Sequence, residues 1–434
     1  MPSRSPSRLR FTWERRVSTV DAARRLLDDA GRVSFIVQKF GGTSVGTPER
    51  IRAVAERVKR TREAGHDVVL VASAMSGETN RLIALGQQFS ARPDPREMDA
   101  LVATGEQVSV ALLSIALNEI GVPATSFLAH QVRLRTDSAF TKARIRGIDA
   151  DRLIETVKQG RVAIVAGFQG IDDDGNTTTL GRGGSDTTAV AIAAALGQGV
   201  PCEIYTDVDG VYTADPNVCR NARKVSRISY EEMLELASLG AKVLQIRSVE
   251  LAMKYAVPVH VRTSFSDAEG TWVVNEEESL ESVVVAGVTS DKNEAKVTIH
   301  RIENKPGRAA ALFEALAEAR ISVDMIIQNP SHDGFTDMTF TVAKGDLLPA
   351  REIAAKVFTT NELFVREDVV KVSIVGLGMR SHAGVAAKMF GLLAAEGINI
   401  EAITTSEIKV SCLVQAKYHE LAVRALHDGF GLGT

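Results

Sequence analysis

Residues 35–47 read Phe-Ile-Val-Gln-Lys-Phe-Gly-Gly-Thr-Ser-Val-Gly-Thr, which predicts a short buried strand followed by a loop rich in glycine and hydroxyl groups. Gly41 and Gly42 allow backbone conformations that other residues avoid. The Thr-Pro pair at 47–48 predicts a helix that begins directly after the loop. Free amides at a helix N-terminus attract anions, and Lys39 adds a positive charge. The stretch therefore fits a phosphate-binding loop, although an ordinary strand-to-helix turn with a solvated lysine gives the same pattern.

The composition is that of a globular protein with more than one domain. A chain of 434 residues exceeds one typical core, so two or three domains are expected. The net charge of −3 does not favour binding to nucleic acid. The sequence contains no uninterrupted run of about 18 apolar residues, so a membrane partner is not favoured either. The three cysteines form no Cys-x-x-Cys pair, which favours a reducing cytoplasm and ordinary packing or surface thiols.

Residues 33–275 alternate between apolar strands and helices. The predicted strands after the first are Val68–Ala74, Val162–Ala166, Cys202–Tyr205 and Val257–Val261. The predicted helices include Pro48–Ala64, Met98–Ile120, Thr187–Leu196 and Ser229–Leu236. This alternation predicts an α/β domain with a mostly parallel sheet, helices on both faces and a site beyond the carboxyl ends of the strands.

The segments outside this region differ in character. Residues 1–32 are rich in arginine, with one amphipathic helix expected over Ser18–Asp29, and we interpret them as an N-terminal extension from an upstream start assigned in error. Residues 276–283 form an acidic connector. Beyond it the chain repeats itself, over 284–362 and 363–434. Each repeat is expected to run strand, glycine-started helix, strand, strand and helix; the sequence leaves open whether the two are wired one after the other or one inside the other.

Three motifs in the first region carry a family resemblance. The segments 39–45 (Lys-Phe-Gly-Gly-Thr-Ser-Val), 179–186 (Thr-Leu-Gly-Arg-Gly-Gly-Ser-Asp) and 206–212 (Thr-Asp-Val-Asp-Gly-Val-Tyr) resemble the aspartate kinase family of the amino-acid kinase superfamily. The resemblance implies a three-layer α/β/α kinase domain followed by two ferredoxin-like ACT domains. It also implies a cytoplasmic enzyme that uses MgATP to phosphorylate the side-chain carboxylate of L-aspartate, giving 4-phospho-L-aspartate, the entry step to lysine, threonine and methionine.

The chemistry of that reaction sets what the site must supply. P-loop and protein-kinase motifs are absent from the sequence. A carboxylate acceptor is already ionised at neutral pH and needs no general base, so the difficulty is repulsion between two anions. Lys39 is the expected catalytic charge. By the resemblance, Asp186 orients Lys39 or binds substrate or metal; capping of a helix by Ser185 or Asp186 is the simpler alternative.

The resemblance also implies roles for further residues. The substrate-binding candidates are Ser44, Thr79, Glu106, Arg182, Gly183, Gly184 and Ser185. Glu106 is expected on the ammonium of aspartate and Arg182 on its α-carboxylate; a first-turn helix charge is the alternative for Glu106. The ATP-binding candidates are Lys39, Phe40, Gly41, Gly42, Ser73, Thr206, Asp207, Tyr212, Asp215 and Lys242. No residue is singled out as a dedicated metal ligand.

Regulation is expected in the repeats. The candidate effector-binding residues are Asn304, Gly307, Gln328, Asn399 and Ile403. Threonine and lysine are the expected effectors, and a homodimer or a hetero-oligomer with a shorter ACT-only chain is the expected assembly. Three features depart from the family pattern: the loop 126–133, Asn217 and Asn304, whose neutral amide makes lysine inhibition less certain.

Two other functions stay open from the sequence. One is a relative that phosphorylates a different carboxylate or a carbamate, and the other is a catalytically silent amino-acid sensor. A dinucleotide site is not expected, because the Val-Gly-Leu-Gly stretch at 375–378 lacks the third glycine of that fingerprint.

Overall fold

The computed structural model describes residues 34–239, 243–275, 284–330, 334–359, 362–380 and 382–433. The extension 1–32 with its expected helix, the connector 276–283 and Lys242 lie outside the described residues. The chain divides into two compact units. The first holds residues up to Asp209 together with Glu250–Ala268, and the second holds Gly210–Val249 and the residues from Glu269 onward.

The helices and strands up to residue 275 follow the alternation predicted from the sequence. In the first part of the chain they are β1 Ser34–Phe40, α1 Pro48–Glu63, β2 His66–Ala72, α2 Glu78–Gln87, α3 Pro95–Val102, α4 Thr104–Glu119, β3 Ala124–Phe127, β4 Arg135–Thr136, β5 Ile145–Gly147, α5 Asp151–Lys158, β6 Val162–Ala166, β7 Gln169–Ile171, β8 Thr177–Thr179, α6 Gly184–Leu196 and β9 Cys202–Thr206. They continue with β10 Val211–Tyr212, β11 Lys224–Val225, β12 Arg227–Ser229, α7 Tyr230–Ser238, α8 Ile246–Tyr255, β13 Val259–Thr263 and β14 Thr271–Val274.

One parallel sheet organises the described part of the first unit. Six strands lie in the order β3-β6-β2-β1-β9-β13, and every neighbouring pair is parallel. Alternate residues of β1 point to opposite faces. Ile36 and Phe40 join a core with α1 and α4, whereas Lys39 points toward α6 on the other face. The expected three layers, helix on sheet on helix, are confirmed.

The segment predicted as one helix, Met98–Ile120, is two helices, so that prediction was wrong. α3 ends at Val102 and α4 begins at Thr104, and the Ala103 carbonyl between them accepts a hydrogen bond from the Gln169 side chain at 3.0 Å. The combined stretch Pro95–Glu119 has the length and apolar composition of a membrane-crossing helix. In this structure 44% of that window is buried inside the protein.

The remainder of the second unit contains the two repeats. Its elements are β15 Gly287–Asp291, β16 Glu294–Glu303, α9 Arg308–Glu318, β17 Val323–Pro330, β18 Phe335–Ala343, α10 Leu347–Val357, β19 Leu363–Arg366, β20 Val369–Val375, α11 Val385–Ala395, β21 Ala402–Thr405, β22 Lys409–Gln415 and α12 His419–Gly429. Each helix α9 and α11 begins after a glycine, Gly307 or Gly384, with a positive φ of 90° or 92°. The glycine-started helices are as predicted.

The two repeats form two antiparallel sheets with ferredoxin-like strand order. The first repeat has the order β17-β18-β16-β19 and the second the order β15-β20-β22-β21. β15 precedes the whole first repeat in the chain, yet it pairs with β20 along residues 287–291. The first repeat is therefore inserted between β15 and the rest of the second, which is the wiring that the sequence left open.

Charged and apolar contacts join the two repeats. Lys371 on β20 lies 2.8 Å from Glu294 of the first repeat and also pairs with Asp324. Glu401 accepts from Lys296 at 2.6 Å and from Arg366 at 2.7 Å. The side chains of Lys371, Glu294 and Glu401 are at most 8% exposed, so removal of the partner of any of them would leave an uncompensated charge and destabilise this contact.

Gly376, in the stretch that mimics a dinucleotide fingerprint, has a packing role. A Cβ atom added there would collide with the carbonyl oxygen of Val284 and lie 2.7 Å from the Cα of Val285. The glycine therefore allows the chain before β15 to pass close to the end of β20.

Candidate active site

The carboxyl ends of β1, β2, β6 and β9 meet at one edge of the parallel sheet. Backbone hydrogen bonds tie the residues that follow them: the Gly41 amide donates to the Tyr205 carbonyl at 3.1 Å, and the Ser73 amide donates to the Phe40 carbonyl at 3.1 Å. The Gly167 amide similarly donates to Ala72 at 3.0 Å. The sheet thus brings the loops of four separate chain segments to one place, as expected for this fold class.

A buried ion pair occupies this edge. Lys39 Nζ lies 2.6 Å from Asp186 Oδ1, and both side chains are only about a tenth exposed. Asp186 belongs to the first turn of α6, which begins after Gly183 in a left-handed conformation with φ 72°. Neither Ser185 nor Asp186 caps that helix, because no side chain makes a cap hydrogen bond there. Helix capping therefore does not explain these two residues.

The glycines of the loop after β1 leave room at this edge. A Cβ atom added to Gly41 would lie 3.4 Å from Lys39 Nζ, and one added to Gly42 would lie 2.9 Å from the carbonyl oxygen of Ala74. The first distance is an ordinary van der Waals contact, whereas the second is too short, so a side chain at position 42 would push the two loops apart. Both glycines keep the backbone accessible beside the charge of Lys39.

Glu106 lies in the first turn of α4 and is only 3% exposed. Its Oε1 accepts a hydrogen bond from the Ala74 amide at 2.9 Å, whereas its Oε2 has no hydrogen-bond partner. Burial raises the pKa of Glu106 to about 7, although the bond from Ala74 lowers it. A solvated first-turn charge would not be buried in this way.

Several buried polar atoms at the site lack hydrogen-bond partners within the protein. They are Ser44 Oγ, Glu106 Oε2 and Asp186 Oδ1, the last of which contacts Lys39 only as an ion pair. Buried polar atoms are normally satisfied, so unsatisfied ones point to a ligand or to water. All three atoms belong to residues that were predicted from the sequence to be in the active site.

The other candidates of the first unit have less confined side chains. Arg182 is exposed, Thr79 is half-buried on α2, and Thr206 Oγ1 donates to Asp207 Oδ1 at 3.1 Å. The Phe40 side chain is fully buried and stacks on Tyr205 with ring centroids 4.7 Å apart. Its ring therefore faces the core, away from the face that carries Lys39.

The sequence matches known families along most of its length. Residues 34–263 match the amino acid kinase family, and residues 297–359 and 372–430 each match an ACT domain. An aspartokinase of Pseudomonas aeruginosa is 57% identical over 407 residues, covering 92% of this chain and 98% of that protein. The aspartate kinase of Pseudomonas putida is 55% identical over 406 residues, with coverage of 92% and 98%. The chain belongs to the aspartate kinase family.

Solved structures of aspartate kinases have the same fold. Aspartokinase III of E. coli in complex with aspartate and ADP, in the R state, superposes with a TM-score of 0.77 at 28% identity, covering 91% of this chain and 99% of that one. The T state of that enzyme, in complex with lysine and aspartate, gives 0.74 at 28% identity, with 92% and 99% coverage. The fold class and the enzyme class expected from the sequence, an aspartate kinase, are confirmed.

The remaining candidates of this aspartate kinase lie in the second unit. Tyr212 ends β10 and is half-buried, and Asp215 is exposed and accepts from the Asn217 amide at 2.8 Å. The Asn217 side chain also donates to Asp215 Oδ1, at 3.0 Å, so this departure from the family pattern stabilises the turn around Asp215. The effector candidates are also accessible: Asn304, Gly307, Gln328, Asn399 and Ile403 are all exposed.

Asp99 organises the site and was missed in the sequence. It is fully buried on α3, where it accepts from the Thr179 hydroxyl at 2.6 Å, the Thr179 amide at 2.8 Å and the Thr141 amide at 2.9 Å. Burial raises the pKa of Asp99, and these hydrogen bonds oppose that effect. Asp99 thereby fixes the end of β8, from which the chain continues to Arg182. In the sequence, only the position of this acidic residue in an apolar helical segment indicated that Asp99 could be buried and functional.

Proposed function

We propose that this aspartate kinase transfers the γ-phosphoryl group of ATP to the side-chain carboxylate of L-aspartate at the strand edge around Lys39. The supporting observation is the buried Lys39–Asp186 pair beside Gly41, Gly42 and two buried polar atoms without protein partners, Ser44 Oγ and Glu106 Oε2. The acceptor carboxylate is ionised, so no residue needs to remove a proton. Lys39 offsets the charge that accumulates as the two anions approach, and Asp186 holds the Lys39 ammonium in place.

Recognition of aspartate would divide between three side chains. Glu106 Oε2, which lacks a protein partner, accepts from the substrate ammonium, and Arg182 pairs with the α-carboxylate. Ser44 Oγ donates to the side-chain carboxylate of aspartate, which accepts the phosphoryl group. Thr79, Gly183, Gly184 and Ser185 complete the substrate site in this proposal.

The nucleotide would lie along the loops after β1, β2 and β9, with the amides of Gly41 and Gly42 on the phosphates. Ser73, Thr206, Asp207, Tyr212, Asp215 and Lys242 are the other proposed contacts. The described residues hold no cluster of three or more histidine, cysteine or acidic side chains. Mg²⁺ would therefore be held mainly by phosphate oxygens with Asp186, an arrangement that suits this ion. When bound, Mg²⁺ neutralises phosphate charge.

The second level of the proposal concerns regulation and organisation. Residues 33–275 form the catalytic domain, and 284–434 contain the two ACT repeats that bind amino-acid effectors, lysine or threonine or both. β15 at 287–291 belongs to the second repeat and β19 at 363–366 to the first. Asn304, Gly307, Gln328, Asn399 and Ile403 are the proposed contacts. The T-state complex of E. coli aspartokinase III contains lysine, which supports an effector role for that amino acid. We propose a cytoplasmic homodimer or a hetero-oligomer with a shorter ACT-only chain.

Trapping of the acyl phosphate with hydroxylamine tests this function. The assay contains ATP and Mg²⁺ with aspartate, glutamate or carbamate in turn, and is repeated with lysine, threonine and both. Hydroxamate and ADP formed only with aspartate support the proposal, and the inhibition pattern identifies the effector. Turnover with another acceptor would favour a different carboxylate or carbamate kinase. No ADP release with any acceptor would favour a silent sensor.

A further inference from the structure

Thr213 connects the loop after β10 to the C-terminal helix α12. It lies between Tyr212 and Asp215 in sequence, is 1% exposed, and belongs to the second unit together with α12. Its hydroxyl oxygen lies 2.9 Å from His427 Nε2 and 3.2 Å from the Leu432 carbonyl. Both partners are more than 200 residues away in sequence, so neither is a local turn contact.

Three groups contact the Thr213 hydroxyl. The Leu432 carbonyl can only accept its proton, and the Arg223 amide donates to its oxygen at 3.0 Å. His427 Nε2 donates or accepts according to the tautomer of the ring. His427 is completely buried, and its Nδ1 has no hydrogen bond and lies 3.6 Å from Asp428 Oδ1. The hydroxyl therefore joins the loop both to α12 and to the C-terminal residues.

Further backbone contacts hold the same residue. The Thr213 amide donates to the Arg223 carbonyl at 2.9 Å, and its carbonyl accepts from the Val288 amide of β15 at 2.7 Å. Every hydrogen-bonding group of Thr213 thus has a partner, and one of those partners is the strand that completes the sheet of the second repeat.

The segment after Thr213 is attached to α12 in the same manner. Asn221 Nδ2 donates to Asp428 Oδ1 at 3.0 Å, and Ala222 forms a β-bridge with Gly433. Ala214 and Cys219 are buried in one hydrophobic cluster with α12. Movement of α12 or of the C-terminal residues would therefore move this loop.

We propose that Thr213 is a positioning residue for the nucleotide, which fixes the loop of Tyr212 and Asp215 through the hydrogen bonds to His427 and Leu432. The inference rests on the proposed role of Tyr212 and Asp215 in binding ATP. Valine has the shape of threonine without its hydroxyl, so packing alone does not require threonine here. The affinity for ATP then depends on how the second ACT repeat holds its last helix.

A matched pair of substitutions tests the hydroxyl. Thr213→Val removes it and should raise the KM for ATP about tenfold, while kcat and the KM for aspartate change by less than about twofold. Thr213→Ser keeps the hydroxyl and should retain a KM for ATP within about twofold of the wild-type value. An unchanged KM for ATP in a folded Thr213→Val protein would overturn the proposal.

His427 supplies a second pair if Thr213→Val does not fold. His427→Gln can place an N–H where Nε2 lies and should stay close to wild type, whereas His427→Leu should raise the KM for ATP as Thr213→Val does. Leu316→Ala, in the separate core of the first repeat, controls for loss of stability alone. An equal rise in the KM for ATP in Leu316→Ala would contradict a positioning role.

Asp215→Ala separates this inference from the proposed function. If Asp215→Ala leaves the KM for ATP unchanged, the proposed nucleotide contacts are wrong. If Asp215→Ala raises that KM and Thr213→Val does not, the nucleotide contacts stand and the positioning role of Thr213 is wrong.

Discussion

Glu106 is a buried carboxyl group whose pKa lies close to neutrality. Burial raises its pKa to about 7 from the ordinary 4.5, since the ionised form is poorly solvated there. A substrate ammonium beside Oε2 would stabilise the ionised form of Glu106 and so lower its pKa again. The same side chain should therefore affect the pH dependence of substrate binding and of stability.

We expect the KM for aspartate to fall as the pH rises from about 6 to about 8, because only ionised Glu106 pairs with the ammonium. The carboxylates and ammonium of aspartate do not titrate in this window. Glu106→Gln should raise that KM about tenfold or more at pH 8 and remove the dependence on pH. Steady-state kinetics at several pH values measure both effects. An unchanged pH profile in Glu106→Gln would contradict the role of Glu106.

The stability of the ligand-free protein should change in the opposite direction. The pKa of Glu106 is raised by folding, so its contribution to the free energy of unfolding is present below pH 4.5 and lost as the pH rises through 7. Glu106→Gln should accordingly raise the melting temperature at pH 8 relative to wild type and change it little at pH 4. Calorimetry without substrates checks this. A lower melting temperature for Glu106→Gln at pH 8 would argue against it.

Neighbouring strands of the parallel sheet share a buried polar network around Glu203. This β9 residue accepts from Gln38 on β1 at 2.8 Å, from the Tyr205 hydroxyl at 2.9 Å and from Arg262 on β13 at 3.1 Å. Burial alone would raise the pKa of Glu203, but the hydrogen bonds, the His260 ring whose Nδ1 lies 3.8 Å from Oε1, and the charge of Arg262 lower it to about 2. The network stabilises the central strands on the face opposite Lys39.

The network predicts a loss of stability in acid. Because folding lowers the pKa of Glu203, its contribution is present above pH 4.5 and is lost as the pH falls toward 2. Glu203→Gln should lower the free energy of unfolding by about 3 kcal/mol at pH 7 and by much less near pH 2. Urea unfolding measures both values, with the exposed Glu56→Gln on α1 as the control. Equal effects of the two substitutions would refute this account of Glu203.

The helix starts of the repeats offer a second test on single elements. Gly384 has φ 92° with no atom near an added Cβ, so Gly384→Ala should cost about 1 kcal/mol of unfolding free energy through backbone strain alone. Gly391 lies inside α11 with equally open space, and Gly391→Ala should instead stabilise by about 0.5–1 kcal/mol. Denaturant unfolding compares them. Effects of the same sign would contradict the conformational explanation.

Individual elements were predictable where local pattern decides them. The buried strand Val162–Ala166 was predicted with the observed bounds, and Pro48–Ala64 ends one residue later than α1. Met98–Ile120 was predicted as one helix, and the contact that Gln169 makes at the break, from 66 residues away in the chain, leaves no local pattern. The acid at 99 was missed for the same reason, since its partners are up to 80 residues away.

At the scale of the whole chain, contacts between residues far apart in sequence could not be predicted from local patterns. The strand-helix patterns predicted an α/β domain and an internal repeat, and the resemblance of the motifs to the aspartate kinase family implied the kinase domain and the ACT pair. The pairing of β15 with β20 across the inserted repeat, and the Thr213–His427 contact, join residues far apart in sequence. Neither carries a local signal, because strand partners and buried hydrogen bonds are chosen by the tertiary fold.

The inserted wiring predicts different behaviour for the two repeats. Residues 294–366 contain all four strands of the first sheet and should unfold cooperatively as an isolated fragment. Residues 368–433 lack β15, which leaves the edge of β20 unpaired, and should be unfolded or aggregated. Circular dichroism with thermal melting distinguishes them. A cooperative transition in the fragment 368–433 would contradict the importance of β15.

The Lys39→Ala protein provides the most direct measurement of the catalytic proposal. Aspartate-dependent hydroxamate formation should fall at least about a thousandfold in this variant, while an exposed control, Lys158→Ala on α5, keeps wild-type turnover. Calorimetric titration with lysine and threonine should give the same effector binding in all three proteins. Loss of turnover with retained effector binding is the predicted result. Substantial turnover in Lys39→Ala would show that the buried Lys39–Asp186 pair is not the catalytic centre.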